Sequence, residues 1–152
     1  MDNQEFHTFS AYMKKERMTA SMEDYLEMIC RLSKKTGFTR VYELSSALNV
    51  QPPSVTMMVK KLSKLNLLKY EKYGIIILEK QGIKLGEILL KRHKAIESLL
   101  TILGVSSNLI LEETEKIEHT ISNETLSCII NFLKFLNEKP DIKKMIAKHK
   151  QS

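Results

Sequence analysis

"QPPSVTMMVKKLSKLNLLKYEKYGIIILEK", residues 51–80, changes its hydrophobic period halfway along. In the first half Val55, Met58, Val59 and Leu62 recur at i, i+3, i+4 and i+7, one stripe of a helix, which assigns them to a core. Pro52 and Pro53 suit only a first helical turn, where a missing N–H costs little. The second half holds two β-rich runs flanking Tyr73-Gly74, the pattern of a hairpin. On the helix, Ser54, Thr56, Met57, Lys60 and Lys61 are left facing outward.

Working outward, "TASMEDYLEMICRLSKKTG" predicts a helix capped by Ser21, with Asp24 three residues on, and stopped at Gly37. "RVYELSSALNV" predicts a short second helix with Val41, Leu44, Ala47 and Leu48 on one side. Helix, short helix, turn, second helix and hairpin is the order of a winged helix-turn-helix. From Gln81 onward the pattern is helical throughout: a long helix stopped by Gly104, a second through "SSNLILEETEKIEHTIS", a third capped by Asn123, and a basic one opened by Pro140. The fold class expected is mainly α, an N-terminal winged helix-turn-helix of three helices plus a β-hairpin followed by an all-helical domain. The third of these later helices carries Leu126, Ile129, Ile130, Phe132, Leu133, Phe135 and Leu136 around most of its circumference, which suggests a subunit interface.

Composition narrows the function classes. A chain of 152 residues with a net charge of +6 and a pI near 9.2 favours polyanionic partners. The charge is segregated: residues 39–80 carry seven basic against three acidic side chains, whereas residues 105–125 carry Lys116 alone against five glutamates. No apolar run approaches the roughly 18 residues that cross a bilayer, and "MDNQEFHTFSAYMKKERM" has no signal-peptide core, so a cytoplasmic protein is expected. Cys30 and Cys128 sit singly among apolar neighbours and are expected to be buried rather than paired or metal-bound. No Ser/His/Asp or Cys/His arrangement and no Gly-rich phosphate loop points to an enzyme.

Two constellations carry chemistry. In the first, Ser54, Thr56 and Met57 are placed to read base edges, with Lys60, Lys61 and Lys64 on phosphates and Lys72 and Tyr73 at the wing tip; the same lysines also suit an ordinary solvated face. In the second, Asp24 and Glu27 share a face of the first helix, Glu115, Glu118 and His119 stand at i, i+3 and i+4 of a later one, and His93 lies midway along the long helix. Carboxylates with imidazoles suit a divalent cation such as Mn²⁺, Fe²⁺ or Zn²⁺. Simpler readings stand beside this one: Asp24 as an N-terminal helix acid, Glu27 paired with Arg31, His93 as a surface or core histidine, Glu115 to His119 as an exposed acidic face, and Glu112 and Glu113 as solvated or helix-start acids.

"SMEDYLEMI", "VQPPSVTMMVKKL", "YEKYGIIIL", "KQGIKLGEILLKRH" and "ETEKIEH", in this order and spacing, resemble the diphtheria toxin repressor family of metal-dependent regulators, in its manganese transport regulator branch. The resemblance implies a winged helix-turn-helix DNA-binding domain over 19–88, an extra segment over 1–18, and a helical metal-binding and dimerisation domain over 89–152. It implies a homodimer on double-stranded, palindromic operator DNA, and two Mn²⁺ per subunit. The implied ligands are Asp24, Glu27, His93, Glu115, Glu118 and His119. Fe²⁺, Zn²⁺, Co²⁺ or Cd²⁺ would be accepted in vitro. In the iron-responding branch the positions of Asp24 and Glu115 hold methionine and cysteine. Met57 departs from the polar or basic residue common at its position.

The function expected is a manganese-dependent repressor of metal-uptake genes. An iron- or zinc-responsive member of the same family and a metal-independent winged-helix repressor are the alternatives. A dimetal carboxylate enzyme in a helical bundle would draw on paired Glu-x-x-His motifs, which this chain lacks.

Overall fold

The computed structural model describes residues 18–150. The expected extra segment falls outside them except for Met18. The chain runs α1 (Ala20–Ser33), β1 (Thr39–Arg40), α2 (Val41–Leu48), α3 (Pro52–Lys64), β2 (Leu68–Tyr70), β3 (Ile75–Leu78), α4 (Lys80–Leu103), α5 (Ser107–Glu118), α6 (Asn123–Glu138) and α7 (Pro140–His149). This is the expected mainly helical order, a winged helix-turn-helix followed by a helical unit. No helix among the described residues is long and apolar enough to cross a membrane.

Local chemistry explains the boundaries. Thr19, not Ser21, caps α1: its extended backbone lets Oγ1 accept from the Met22 N–H at 3.2 Å, while Ser21 already lies inside the first turn. Pro52 and Pro53 open α3 as expected, and Gly104 ends α4 in the left-handed region at φ +90°. Ser122 rather than Asn123 caps α6, accepting from the Thr125 N–H at 3.1 Å. The wing pairs Leu68 with Leu78 and Tyr70 with Ile76, and turns through Tyr73 and Gly74, both at positive φ. A third strand was not anticipated: Thr39 pairs with Ile76 and Arg40 with Ile75, a bridge too short to leave a period in the sequence.

One core unites these pieces. Tyr25, Leu26 and Ile29 of α1, Leu44 of α2, Val55, Val59 and Leu62 of α3, and Ile76 of the wing are buried together. Met58 is partly buried at its edge. Cys30 is buried as expected, but Cys128 is exposed, because α6 turns that side away from α4. Leu126 and Leu136 of α6 are buried, whereas Phe132 and Phe135 remain 43% and 45% exposed.

Helix α4 is continuous through the expected division at 88/89, so one rigid rod belongs to both units. Two glycines, one turn apart, let it approach its neighbours. A Cβ on Gly82 would stand 1.9 Å from the Leu67 carbonyl oxygen beside the wing, and one on Gly86 would stand 2.7 Å from Cys30 Cβ on α1. The first obstacle is backbone and cannot rotate away. Gly82→Ala should therefore destabilise the fold by about 1–3 kcal/mol through overpacking, read as a lowered thermal midpoint. Exposed Gln81→Ala should leave it unchanged.

Candidate metal centre and nucleic-acid interface

The acids and imidazoles meet where α1 crosses α4 and the end of α5. On α1, Glu23, Asp24 and Glu27 point toward α4 and α5, with Glu23 and Glu27 one turn apart and buried. Thr114, Glu118 and His119 bury the far end of α5, where His119 is the C-cap and turns its ring back into the junction. His93 projects from the middle of α4. A cavity of about 430 Å³ opens here, lined in part by Asp24, Glu27, Arg31, His93, Glu115 and Glu118.

Glu118 is the pivot, with 2% of its surface exposed. Its Oε2 lies 3.1 Å from His93 Nδ1, and its Oε1 lies 3.6 Å from His119 Nε2. His93 Nδ1 is also 3.5 Å from Glu27 Oε1. His119 Nε2 stands 2.6 Å from Asp24 Oδ1. Two donor groups result, Asp24–Glu118–His119 and Glu27–His93–Glu118, each with ligand atoms within 4.8 Å of one another and Glu118 common to both. Oxygen and imidazole nitrogen without thiolate suit Mn²⁺, Fe²⁺ or Zn²⁺ more than a soft ion.

The electrostatics fit a cation. Burial raises the Glu27 carboxyl above its ordinary range, and the Glu118 charge adds to this. A hydrogen bond to Glu118 raises His93, and the Asp24 hydrogen bond with Glu23 behind it holds His119 up to about 10. The neighbouring carboxylates thus favour the protonated form of each ring, and a divalent ion would answer the same charges. His119 Nδ1 is buried without a hydrogen-bond partner.

Five of the six expected ligands therefore converge. Glu115 lines the same cavity but is exposed and belongs to neither donor group. Glu27 also keeps the simple pairing foreseen for it, accepting from Arg31 Nη2 at 2.9 Å. Glu112 and Glu113 face water and pair with Lys116. Two participants were missed: Glu23, and Arg92, whose Nη1 donates to the Glu118 carbonyl at 2.8 Å and to Glu23 Oε2 at 3.3 Å. The like charges of Glu23 and Glu27 at i, i+4 were the signal available, since such a pair on a buried face demands a cation.

The second constellation is a surface. Ser54, Met57, Lys60, Lys61 and Lys64 of α3 are exposed and Thr56 is half-buried. Met57 is 56% exposed, and Tyr73 at the wing tip 88%. Lys72 beside it is exposed too. Ser54, Met57, Lys61 and Lys64 make one outward strip of α3, with Thr56 and Lys60 along its side and Lys72 and Tyr73 on the adjoining wing.

Residues 17–76 match the iron dependent repressor N-terminal DNA binding domain, and residues 79–147 match the iron dependent repressor metal binding and dimerisation domain. The HTH-type transcriptional regulator MntR of Listeria welshimeri is 44% identical over 123 residues, covering 81% of this chain and 87% of that protein. MntR of Lysinibacillus sphaericus is 40% identical over 132 residues, covering 87% and 95%. Among solved structures, the manganese regulator SloR superposes with a TM-score of 0.67 at 33% identity over 78% of this chain and 55% of that one. ScaR with bound Zn²⁺ superposes with a TM-score of 0.62 at 34% identity, over 75% and 54%. The chain spans about half the length of these solved proteins.

The raised His119 sets a pH dependence. A folded pKa of about 10 against an unfolded value near 6.5 gives stability that is present in full below pH 6.5 and lost as pH rises through 10. In EDTA the thermal midpoint should fall steadily between those limits. Asp24→Asn, which removes the main partner of His119, should flatten that slope.

Proposed function

This chain belongs to the iron dependent repressor family, and from that premise we propose that it represses transcription in response to manganese. It is a DNA-binding regulator and not an enzyme. The observation that carries the metal half is the sharing of Glu118 by two donor groups drawn from three helices. Asp24, Glu118 and His119 would hold one ion and Glu27, His93 and Glu118 the other, two per subunit. Glu115, exposed on the cavity wall, would turn its side chain inward to complete the set. Manganese is favoured over a softer metal by the oxygen and nitrogen donors. The same donors would take Fe²⁺, Zn²⁺, Co²⁺ or Cd²⁺ in vitro.

A bound divalent cation supplies the positive charge that these carboxylates share. The rest follows from the chain's own residues. Asp24 and Glu27 belong to α1, whose opposite face carries Tyr25, Leu26 and Ile29 in one core with Val55, Val59 and Leu62 of α3. Fixing the acidic face of α1 against His93 and Glu118 therefore fixes α3 relative to α4. Two copies associate through the helical domain, covering Phe132 and Phe135. Their α3 helices are then held at the separation of successive major-groove faces, roughly 34 Å or a multiple. A palindromic operator suits that symmetry. The ion acts by raising the fraction of dimers competent to bind.

On the DNA, Lys60, Lys61, Lys64 and Lys72 would meet phosphates, with Tyr73 packed against the backbone. Ser54 and Thr56 would reach base edges. Met57, exposed and apolar, suits a thymine methyl group.

Promoter binding titrated with Mn²⁺, Fe²⁺, Zn²⁺ and EDTA tests the proposal. Binding should require a divalent ion, and indifference to EDTA would sink the metal-gated reading. Glu118→Gln should cost more than about 100-fold in Mn²⁺-dependent binding, because even outer partners of such ligands are worth 10–100-fold. Glu115→Gln should cost less. Lys60→Ala should weaken all sequences alike and lower the salt slope by about 1.

A further inference from the structure

We propose that Glu23, clamped by Arg92, is a positioning residue that fixes the His119 ring and so governs one of the two ion sites and not the other. The inference rests on the two-ion reading above. It arises from a buried ion pair that neither donor group uses.

Glu23 and Arg92 are almost withdrawn from water, with 9% and 14% of their side chains exposed, and lie 3.3 Å apart. Burying a charged pair costs more than a surface pair returns unless further polar contacts complete it. Arg92 completes it on one side: the Nη1 that meets Glu23 Oε2 also donates to the Glu118 carbonyl at 2.8 Å. That carbonyl belongs to the last turn of α5, where helix geometry leaves no intrahelical N–H for it. Arg92 therefore braces the end of α5, from which both Glu118 and His119 project.

Glu23 completes the arrangement on the other side. Its second oxygen, Oε1, is 3.9 Å from His119 Nδ1, while Nε2 of the same ring faces Asp24 and Glu118. A ring that offers Nε2 to a cation must carry its proton on Nδ1, and that N–H needs an acceptor. Nδ1 is buried with no hydrogen-bond partner, and the carboxylate beside it is Glu23. At 3.9 Å the contact is ionic and too long for a hydrogen bond. With Nε2 given to an ion, a small ring rotation would bring Nδ1–H onto Oε1. Glu23 then holds the tautomer and the plane of the ring.

His93 has a different environment. Its Nδ1 faces Glu27 and Glu118, and among the described residues no ion pair or hydrogen bond joins its ring to Glu23 or to the Arg92 guanidinium. The consequence is asymmetric. Loss of the Glu23 carboxylate should disturb the Asp24–Glu118–His119 group and spare the Glu27–His93–Glu118 group. A merely structural role would weaken both or lower stability alone.

The test uses the full chain, stripped of metal and titrated with Mn²⁺ by calorimetry without DNA. Wild type should bind two ions. Glu23→Gln, which keeps the volume and removes the charge, should weaken one of them about 10–100-fold and leave the other within about threefold. Thermal melting in EDTA confirms that Glu23→Gln is folded. If it is not, Glu23→Asp, which keeps the charge but shortens its reach to His119 Nδ1, should give the same one-site loss to a smaller degree. Nitrogen NMR of the Zn²⁺-loaded protein supplies a second readout, with His119 protonated at Nδ1 in wild type and mixed in Glu23→Gln. Two ions bound with unchanged affinity in Glu23→Gln, equal weakening of both, or a wild-type His119 metallated at Nδ1 would each overturn this inference alone. A wild type that binds no Mn²⁺ would overturn it together with the two-ion reading.

Discussion

Charge balance at the crossing of α1, α4 and α5 is the constraint on which the structure depends. Glu23, Asp24, Glu27 and Glu118 bring four carboxylates together, three of them withdrawn from water. Unpaired buried carboxylates are too costly to persist as such. Arg31, Arg92, His93 and His119 answer them from within the chain. The acids come from α1 and α5 and the cations from α1, α4 and the α5 cap, so neutralising the charge and assembling the junction are one event.

That coupling gives α1 its importance. Its apolar face is part of the winged-domain core, and its acidic face is part of the junction. The helix is also pressed against α4 where Gly86 meets Cys30, leaving little slack between the two. Whatever sets the charge state of the junction therefore acts on the orientation of α3 through packed side chains. Close-packed interfaces of this kind switch between discrete arrangements rather than deforming smoothly.

Much of the fold was legible in advance because its signals are local. The paired prolines opening α3, the glycine ending α4, and the change of period at the wing each act within a few residues. The errors were local too: Thr19 and Ser122 displaced the expected caps by one or two residues, because several Ser, Thr and Asn side chains compete at each helix start. The strand β1 left no trace, since two residues carry no periodicity. Exposure of Cys128 was invisible for another reason. An apolar neighbourhood in sequence does not say which side of α6 finds a helix to pack on.

The sequence by itself determined the order of the helices and the wing, the residue types available as ligands, and the helical spacings that put Asp24 with Glu27 and Glu115 with Glu118 and His119. Those are consequences of 3.6 residues per turn and need no partner. Only the tertiary structure decided which of these side chains meet. It buried Glu118 and left Glu115 at the cavity wall, though both lie on one helix three residues apart, because the end of α5 and not its middle abuts α1. It also drew in Glu23 and Arg92, 69 positions apart, whose pairing depends on how two helices cross. Spacing along a chain fixes a direction around one helix axis, but convergence requires the relative placement of several axes, and that is set by packing.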